Sequence, residues 1–380
     1  MRRTTLHPVT SSPSEPTVVA FDGGPLLGAL TGVGAAVEQL AGSLALRDDV
    51  SLHPYALSFR GALPAGTTRL PLPAVVAHRL WGALEHPRLD RWLRPAQVVH
   101  GTNYVVPPSR LPRMVTVYDC WFLRNPSLAG GAVARAGKVL RRAVDGGAMV
   151  HASSHATAAV VRDLFGAERV EVVHLAPLPR PAMVPADARP PIAELRGVPF
   201  IVSIGTLERR KNVPRLVRAF GELASSQPSV RLVLAGADGD DRDAIDAAVD
   251  ELPNAISQRI VRTGRIGIEA KEWLLDHAKV LAYPSLDEGF GFPLLEAMQH
   301  DLPVVASTRG SIPEVAHDAA LLVDADDTEA LAGALESAVS DDALRATLVA
   351  RGHRRLDAFS WAGAAASLSG LYHRLAEEGA

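Results

Sequence analysis

Glu288 and Glu296 stand eight positions apart in the run Pro284-Ser285-Leu286-Asp287-Glu288-Gly289-Phe290-Gly291-Phe292-Pro293-Leu294-Leu295-Glu296-Ala297-Met298. The preceding Lys279 to Tyr283 is short and apolar, as a buried parallel strand is, and Pro293 suits the first turn of a helix, where its missing N–H is no loss. Glu288 therefore falls on a strand-to-helix loop, and Glu296 falls one turn inside the helix. Gly289 and Gly291 let backbone amides approach a ligand closely. Carboxylates accept hydrogen bonds and amides donate them, and the hydroxyls of a sugar ring need both. Spacing alone leaves a second reading open, a plain loop glutamate followed by one on a solvated helix face.

A second constellation is Ser203-Ile204-Gly205-Thr206-Leu207-Glu208-Arg209-Arg210-Lys211-Asn212, which follows an apolar strand and precedes a helix around Pro214 to Leu223. Cations at such a turn, beside the positive end of a helix, suit a diphosphate, although a solvated basic turn has the same composition. A third is Thr31-Gly32-Val33-Gly34, where two glycines open a helix. It fails as a dinucleotide fingerprint, because Val37 occupies the third glycine position.

The elements that must hold these residues alternate between strand and helix. Apolar strands are predicted at Thr17 to Phe21, Ser51 to Leu57, Gln97 to His100, Met114 to Tyr118, Ala148 to Ala152 and Val170 to His174. A second set follows at Phe200 to Ile204, Arg231 to Leu234, Arg259 to Val261, Lys279 to Tyr283, Pro303 to Ala306 and Ala320 to Val323. This is a doubly wound α/β layout. Seven prolines between Pro177 and Pro199 exclude a regular element and mark an interdomain linker. The domains are thus a disordered tail 1–16, a first domain 17–180, a linker 181–198 and a second domain 199–360, followed by an amphipathic helix 361–377.

A chain of 380 residues, 47% hydrophobic, exceeds the size at which single cores split, in agreement with two domains. The lone Cys120 excludes an intrachain disulfide framework and a cysteine metal site, which fits a reducing cytoplasm. No run of about 18 apolar residues and no signal-like leader is present, so the chain reads as soluble. The thirteen histidines show no paired ligand spacing. Residues 1–190 carry an excess of seven positive charges and the remainder an excess of ten negative ones. The basic half points to an anionic partner or a membrane surface rather than to nucleic acid. Within it, Arg79, Arg88, Arg91 and Arg94 lie among Trp81, Leu89, Trp92 and Leu93 over His78 to Pro95, which suits an interfacial amphipathic helix or, equally, core tryptophans with solvated arginines.

The Glu-x7-Glu run, followed by Leu302-Pro303-Val304-Val305-Ala306-Ser307 and Ser311-Ile312-Pro313-Glu314-Val315, strongly resembles family 4 of the retaining glycosyltransferases. The resemblance implies a GT-B fold, two Rossmann-like doubly wound domains facing each other across a cleft, with the helix 361–377 packing back on the first. It implies a nucleotide diphosphate sugar as co-substrate, with no cofactor and no metal. Catalytic roles are carried over to Glu288, which meets the donor sugar, to Arg210 and Lys211, which take the diphosphate in place of a metal, and to Asp119 in a supporting place. The donor-binding set comprises Gly32, Gly34, Tyr118, Thr206, Arg265, Ile266, Gly289, Phe290, Gly291 and Phe292, with Glu296 on the ribose. Asn103, Tyr104, Trp121 and Ser153 are assigned to the acceptor side, although core packing is an equal reading of Trp121. Two departures stand out. Thr206 occupies a position that is Arg in many relatives, and Tyr118 stands where relatives commonly have a His that bonds the donor's 6-hydroxyl. The phrase Gly-Thr-Leu-Glu-x-Arg-Lys-Asn resembles members acting on O-antigen and related polysaccharides, often with GDP-mannose. The expected activity is therefore a retaining hexosyl transfer to a saccharide or lipid-linked acceptor. The alternatives are a UDP- or ADP-sugar enzyme on a small molecule, a non-catalytic sugar-nucleotide-binding subunit, or a nicotinamide oxidoreductase, the last disfavoured by the broken fingerprint.

Overall fold

The computed structural model describes residues 15–28, 31–58, 63–180 and 192–380. The tail expected at 1–16 and the linker at 181–198 fall largely outside the described residues.

Two parallel sheets form the two halves. The first contains β1 (Thr17–Asp22), β2 (Val50–Ala56), β3 (Thr68–Arg69), β4 (Val98–Gly101), β5 (Arg113–Val117), β6 (Met149–Ala152) and β7 (Val170–Val172) in the order β3-β2-β1-β4-β5-β6-β7. The second contains β8 (Phe200–Ile204), β9 (Arg231–Ala235), β10 (Ile260–Gly264), β11 (Val280–Tyr283), β12 (Val304–Ser307) and β13 (Leu321–Val323) in the order β10-β9-β8-β11-β12-β13. Helices cover both faces, so the central strands are buried on both sides. β5, β11 and β12 are buried along their whole length. In each sheet the order reverses once, between β1 and β4 and between β8 and β11. The carboxyl ends of strands flanking such a reversal form a crevice. Both crevices face the same space, and the loops that carry the sequence constellations leave from β8 and β11.

The helix Trp361–Glu378 packs on the helix Gly32–Ala45 and on β1 and β4, so the end of the chain completes the first half. It is tied there by a buried polar chain. The Tyr372 hydroxyl lies 2.7 Å from His100 Nδ1, His100 Nε2 lies 2.8 Å from Thr116 Oγ1, and Thr116 Oγ1 lies 2.9 Å from His151 Nδ1. His151 ends the chain on the Val173 carbonyl at 3.1 Å. Burial holds both imidazoles neutral. It drives His100 well below its ordinary value and His151 down to about 4.

Of the two readings of His78 to Pro95, the structure favours a core tryptophan with exposed arginines over one continuous amphipathic helix. A helix runs over Ala74–Leu84 and stops at Glu85, which is left-handed (φ 54°), and only a 3-10 turn, Asp90–Trp92, follows. Pro87 and Pro95 deny a continuous helix its backbone donors. Trp81, Leu89 and Leu93 are instead core side chains, each no more than 2% exposed. The two-residue edge strand β3 was not expected.

Candidate functional site

Two turns bring the charged residues together. Arg209–Lys211 form a 3-10 turn that ends at the left-handed Asn212 (φ 54°), after which Pro214 starts the helix Val213–Leu223. The Asn212 amide donates to the Pro284 and Ala325 carbonyls at 3.2 and 2.8 Å, and Leu286 N–H donates to the Arg210 carbonyl at 2.7 Å. These bonds lash the turn after β8 to the loop after β11. As a result the Glu288 carboxylate bridges both cations, with Oε2 2.6 Å from Arg210 and Oε1 2.7 Å from Lys211 Nζ. Lys211 also donates to the Tyr283 hydroxyl at 3.0 Å, and Arg210 to the Asp287 carbonyl at 3.1 Å.

Electrostatics follow from that packing. Burial alone would raise Glu288, but Lys211 and Arg210 overcome it and hold the carboxyl at about 2. Burial pushes Lys211 below the ordinary lysine value, against the pull of Glu288. Burial would also lower Arg210, and Glu288 reverses the direction and raises it. Glu208, more exposed, lies 3.6 Å from Arg210 as well, so the two cations meet two carboxylates at the floor of a cleft of about 890 Å³. Its opposite wall holds Asp119, whose carboxyl is raised by burial and partly relieved by Arg210.

The loop after Glu288 lies against the first half. A Cβ on Gly289 would sit 1.6 Å from the Tyr118 carbonyl, so only glycine allows this approach. The Gly289 carbonyl accepts from Ser153 Oγ at 3.0 Å and Thr157 Oγ1 at 3.2 Å. Gly291 is left-handed (φ 92°) and starts the helix Phe292–Gln299; Pro293 has no N–H and the Leu294 N–H donates to the Gly291 carbonyl at 3.0 Å, while Phe292 and Glu296 line the cleft. Glu296 is buried and paired with Lys271 Nζ at 2.8 Å.

The cleft thus gathers Gly32, Tyr118, Asp119, Thr206, Arg210, Lys211, Glu288, Gly289, Phe290, Gly291, Phe292 and Glu296 from the sequence-predicted set. Arg265 and Ile266 line a side cavity of about 310 Å³ that shares Ile204, Gly205, Thr206, Ile268 and Lys271 with it. Gly34 lies within the first turn of its helix, where its N–H donates to the capping Thr31 hydroxyl at 3.2 Å, and it does not face the cleft. The acceptor-side residues scatter. Asn103 lines a separate cavity of about 240 Å³ with Asp22, Tyr55 and Trp81. Tyr104 packs edge-on against Tyr118 and Phe122 and accepts from Asp119 N–H at 3.0 Å, a positioning role. Trp121 caps onto Asp119 through its own N–H at 3.1 Å. Ser153 is wholly buried at the seam between the halves. The Tyr118 hydroxyl is buried without a partner, an unmet hydrogen bond beside the cleft. Lys271 and the rim residue Ile268, 57% exposed, went unpredicted, since the helix Ile268–His277 carries no motif.

Two facing Rossmann-like sheets, with a cleft between them that holds Arg210 and Lys211 against Glu288, define a GT-B glycosyltransferase. Residues 187–355 match the family described as glycosyl transferases group 1. The O-antigen chain mannosyltransferase B of Escherichia coli is 32% identical over 319 residues, covering 80% of this chain and 81% of that protein. The D-inositol 3-phosphate glycosyltransferase of Kineococcus radiotolerans is 29% identical, with 70% and 67% covered. Among solved structures, sucrose-phosphate synthase from Thermosynechococcus elongatus superposes with a TM-score of 0.69 at 20% identity, over 95% of this chain and 99% of that one. WaaG, a glycosyltransferase involved in lipopolysaccharide biosynthesis, gives 0.67 at 16% identity, over 94% and 99%. The chain belongs to the group 1 glycosyltransferases.

Proposed function

We propose that this chain is a retaining, metal-independent hexosyltransferase that moves mannose from GDP-mannose to an acceptor hydroxyl of a growing polysaccharide or glycolipid. The observation that carries the reading is the Arg210–Glu288–Lys211 cluster at the cleft floor. A nucleotide diphosphate entering the cleft brings negative charge to the two buried cations, and those cations stabilise the leaving diphosphate as the glycosidic bond breaks, the task a divalent ion performs elsewhere. Glu288 orients both cations and, with the amides of Gly289 to Phe292, meets the sugar hydroxyls. Glu296 takes the ribose once Lys271 yields, and Ile268 offers an apolar face to the base. The acceptor oxygen attacks from the side the diphosphate leaves, whose oxygen takes the proton, so the anomeric configuration is kept. Asp119 lies near enough to Arg210 to share its field and serves to position rather than attack.

Mannose is favoured by the likeness to the O-antigen mannosyltransferase, of which this chain covers 81%. The acceptor domain works at the cytoplasmic face of an anionic membrane carrying a lipid-linked acceptor. Val75, Val76 and Leu84 are exposed on the helix Ala74–Leu84, beside the exposed Arg79. Among the described residues no helix is long and apolar enough to cross a membrane. A second reading is a UDP- or ADP-sugar enzyme on a small-molecule acceptor, for which the likeness to the D-inositol 3-phosphate glycosyltransferase supports the acceptor.

Thermal shift with UDP, GDP, ADP, CMP and dTDP separates the two readings. A ligand at 100 times its Kd stabilises the native state by about 2.7 kcal/mol, and GDP should give the largest rise. Transfer from radiolabelled GDP-mannose follows, with NMR of the first product. No turnover with any nucleotide sugar, despite binding, leaves a non-catalytic subunit, and an inverted anomer refutes retention.

A further inference from the structure

Away from the donor cleft, the seam between the halves gathers three side chains that the transfer reaction leaves unused. His155 begins the helix His155–Phe165 and His174 follows β7, both in the first half. Glu314 comes from the second half, in the short helix Ile312–Ala316. Their ligand-capable atoms lie within 4.8 Å of one another. The Glu314 carboxylate is held in place before any ion arrives. It accepts from the backbone N–H groups of His155 at 2.8 Å and Ala156 at 3.1 Å, and its Oε1 lies 2.5 Å from His174 Nε2. The two imidazoles meet edge to face, with centroids 5.6 Å apart. Arg355 of the second half donates to the backbone carbonyls of Glu314 and Val315 rather than to the carboxylate. His174 packs in turn against Phe290 of the donor loop and against Phe359, an apolar shell on one side of the cluster.

Two imidazoles and one carboxylate, with the remaining direction open to water, are the donor set of a tetrahedral ion such as zinc. Fixed backbone donors behind the carboxylate supply the outer layer that orients a ligand. We infer that His155, His174 and Glu314 form a zinc-type cation site that clamps the two halves together beside the donor loop. The ion takes the place of the contact between His174 Nε2 and Glu314, with the neutral imidazole ligating through Nε2 and keeping its proton on Nδ1. Sequence spacing hides the site, because its ligands come from three separate elements.

The test uses the whole chain, stripped with a chelator, desalted and titrated with zinc sulfate at neutral pH by calorimetry. No nucleotide is present, so the result is independent of the transferase reading. One equivalent should bind, and His155→Ala and His174→Ala should each weaken binding by about tenfold or more. His353→Ala, which removes an exposed histidine paired with Asp301, should bind as wild type does. Because the ion spans both halves, zinc should also raise the melting temperature of wild type and not that of His174→Ala. The exposed His155 keeps the test sound if the His174 variant fails to fold. A wild-type chain that takes up no zinc overturns the site, and so does binding that survives both substitutions. Binding without a rise in melting temperature overturns the clamp.

Discussion

Replacing Glu288 by glutamine keeps the side chain's shape and removes the charge that pairs two buried cations. The carboxyl is held at about 2 against an ordinary 4.5, and each tenfold change in acidity corresponds to about 1.4 kcal/mol, so after the opposing cost of burial the ionised form keeps a net advantage of about 3 kcal/mol in the folded chain. The cost of breaking a buried ion pair from one side, about 3–5 kcal/mol, points to the same size. The group is only 6% exposed, which leaves little solvent screening to reduce it. For a domain of 150–250 residues about 1 kcal/mol moves the midpoint by 2–4 °C, so Glu288→Gln should melt about 6–12 °C below wild type. The lesion also leaves Lys211 without its carboxylate and Arg210 with Glu208 at 3.6 Å. A nucleoside diphosphate then restores more stability to the variant than it adds to wild type, although transfer falls by about 10²-fold or more. Differential scanning fluorimetry with and without GDP or UDP reads both effects. A variant that melts within about 2 °C of wild type, or gains less from nucleotide, refutes the account of the cluster. In wild type the same depression gives a stability that is complete above the unfolded value near 4.5 and is lost as pH falls through about 2.

Lys211→Ala leaves Glu288 paired with Arg210, so turnover should drop about 10²-fold with a smaller loss of stability, and turnover within threefold of wild type removes Lys211 from the diphosphate site. Glu296→Gln should weaken the affinity for free nucleotide, measured by calorimetry, more than it slows the chemical step; an unchanged Kd rules out the ribose contact. Transfer should survive EDTA, and a loss that only Mg²⁺ or Mn²⁺ reverses contradicts the role given to Arg210 and Lys211. His151 titrates near 4 when folded and near 6.5 when unfolded, so stability should be constant above about pH 6.5 and fall with pH below it, by about 2 kcal/mol between pH 7 and 5 from this residue alone. Urea midpoints at the two values test this, and a His151→Gln chain with an undiminished pH slope refutes it.

The sequence makes most of the strands legible because each is an apolar run fenced by glycine, proline or charge, and a strand buried on both faces has to be one. β3 escapes because two polar residues, Thr68 and Arg69, make no pattern. The segment His78 to Pro95 is ambiguous because tryptophans among arginines have the same composition at a membrane surface as in a core, and only the neighbours of Trp81 decide. Within the site, the residues of the loops after β8 and β11 are legible because their chemistry is local. The pairing of Lys211 with Glu288, of Lys271 with Glu296, and of Ser153 with the Gly289 carbonyl joins residues 77, 25 and 136 positions apart. No short-range signal encodes such contacts, and for that reason Asn103 and Trp121, assigned by their strand ends alone, lie apart from the cleft.

The return of the helix Trp361–Glu378 to the first sheet sets an order of events during synthesis. β7 ends at Val172, so about 190 residues, some 10–40 s of translation, separate the last strand of that sheet from the helix that covers it. Through that interval the nascent half lacks the Tyr372 partner of His100, and the apolar faces of the helix Gly32–Ala45 and of β1 stand bare at the mouth of the ribosome. The second half, whose strands run without interruption from β8 to β13, can fold in the meantime. The half made first is therefore the half finished last, and a stalled or shortened chain exposes it to chaperones and proteases while its neighbour stands complete.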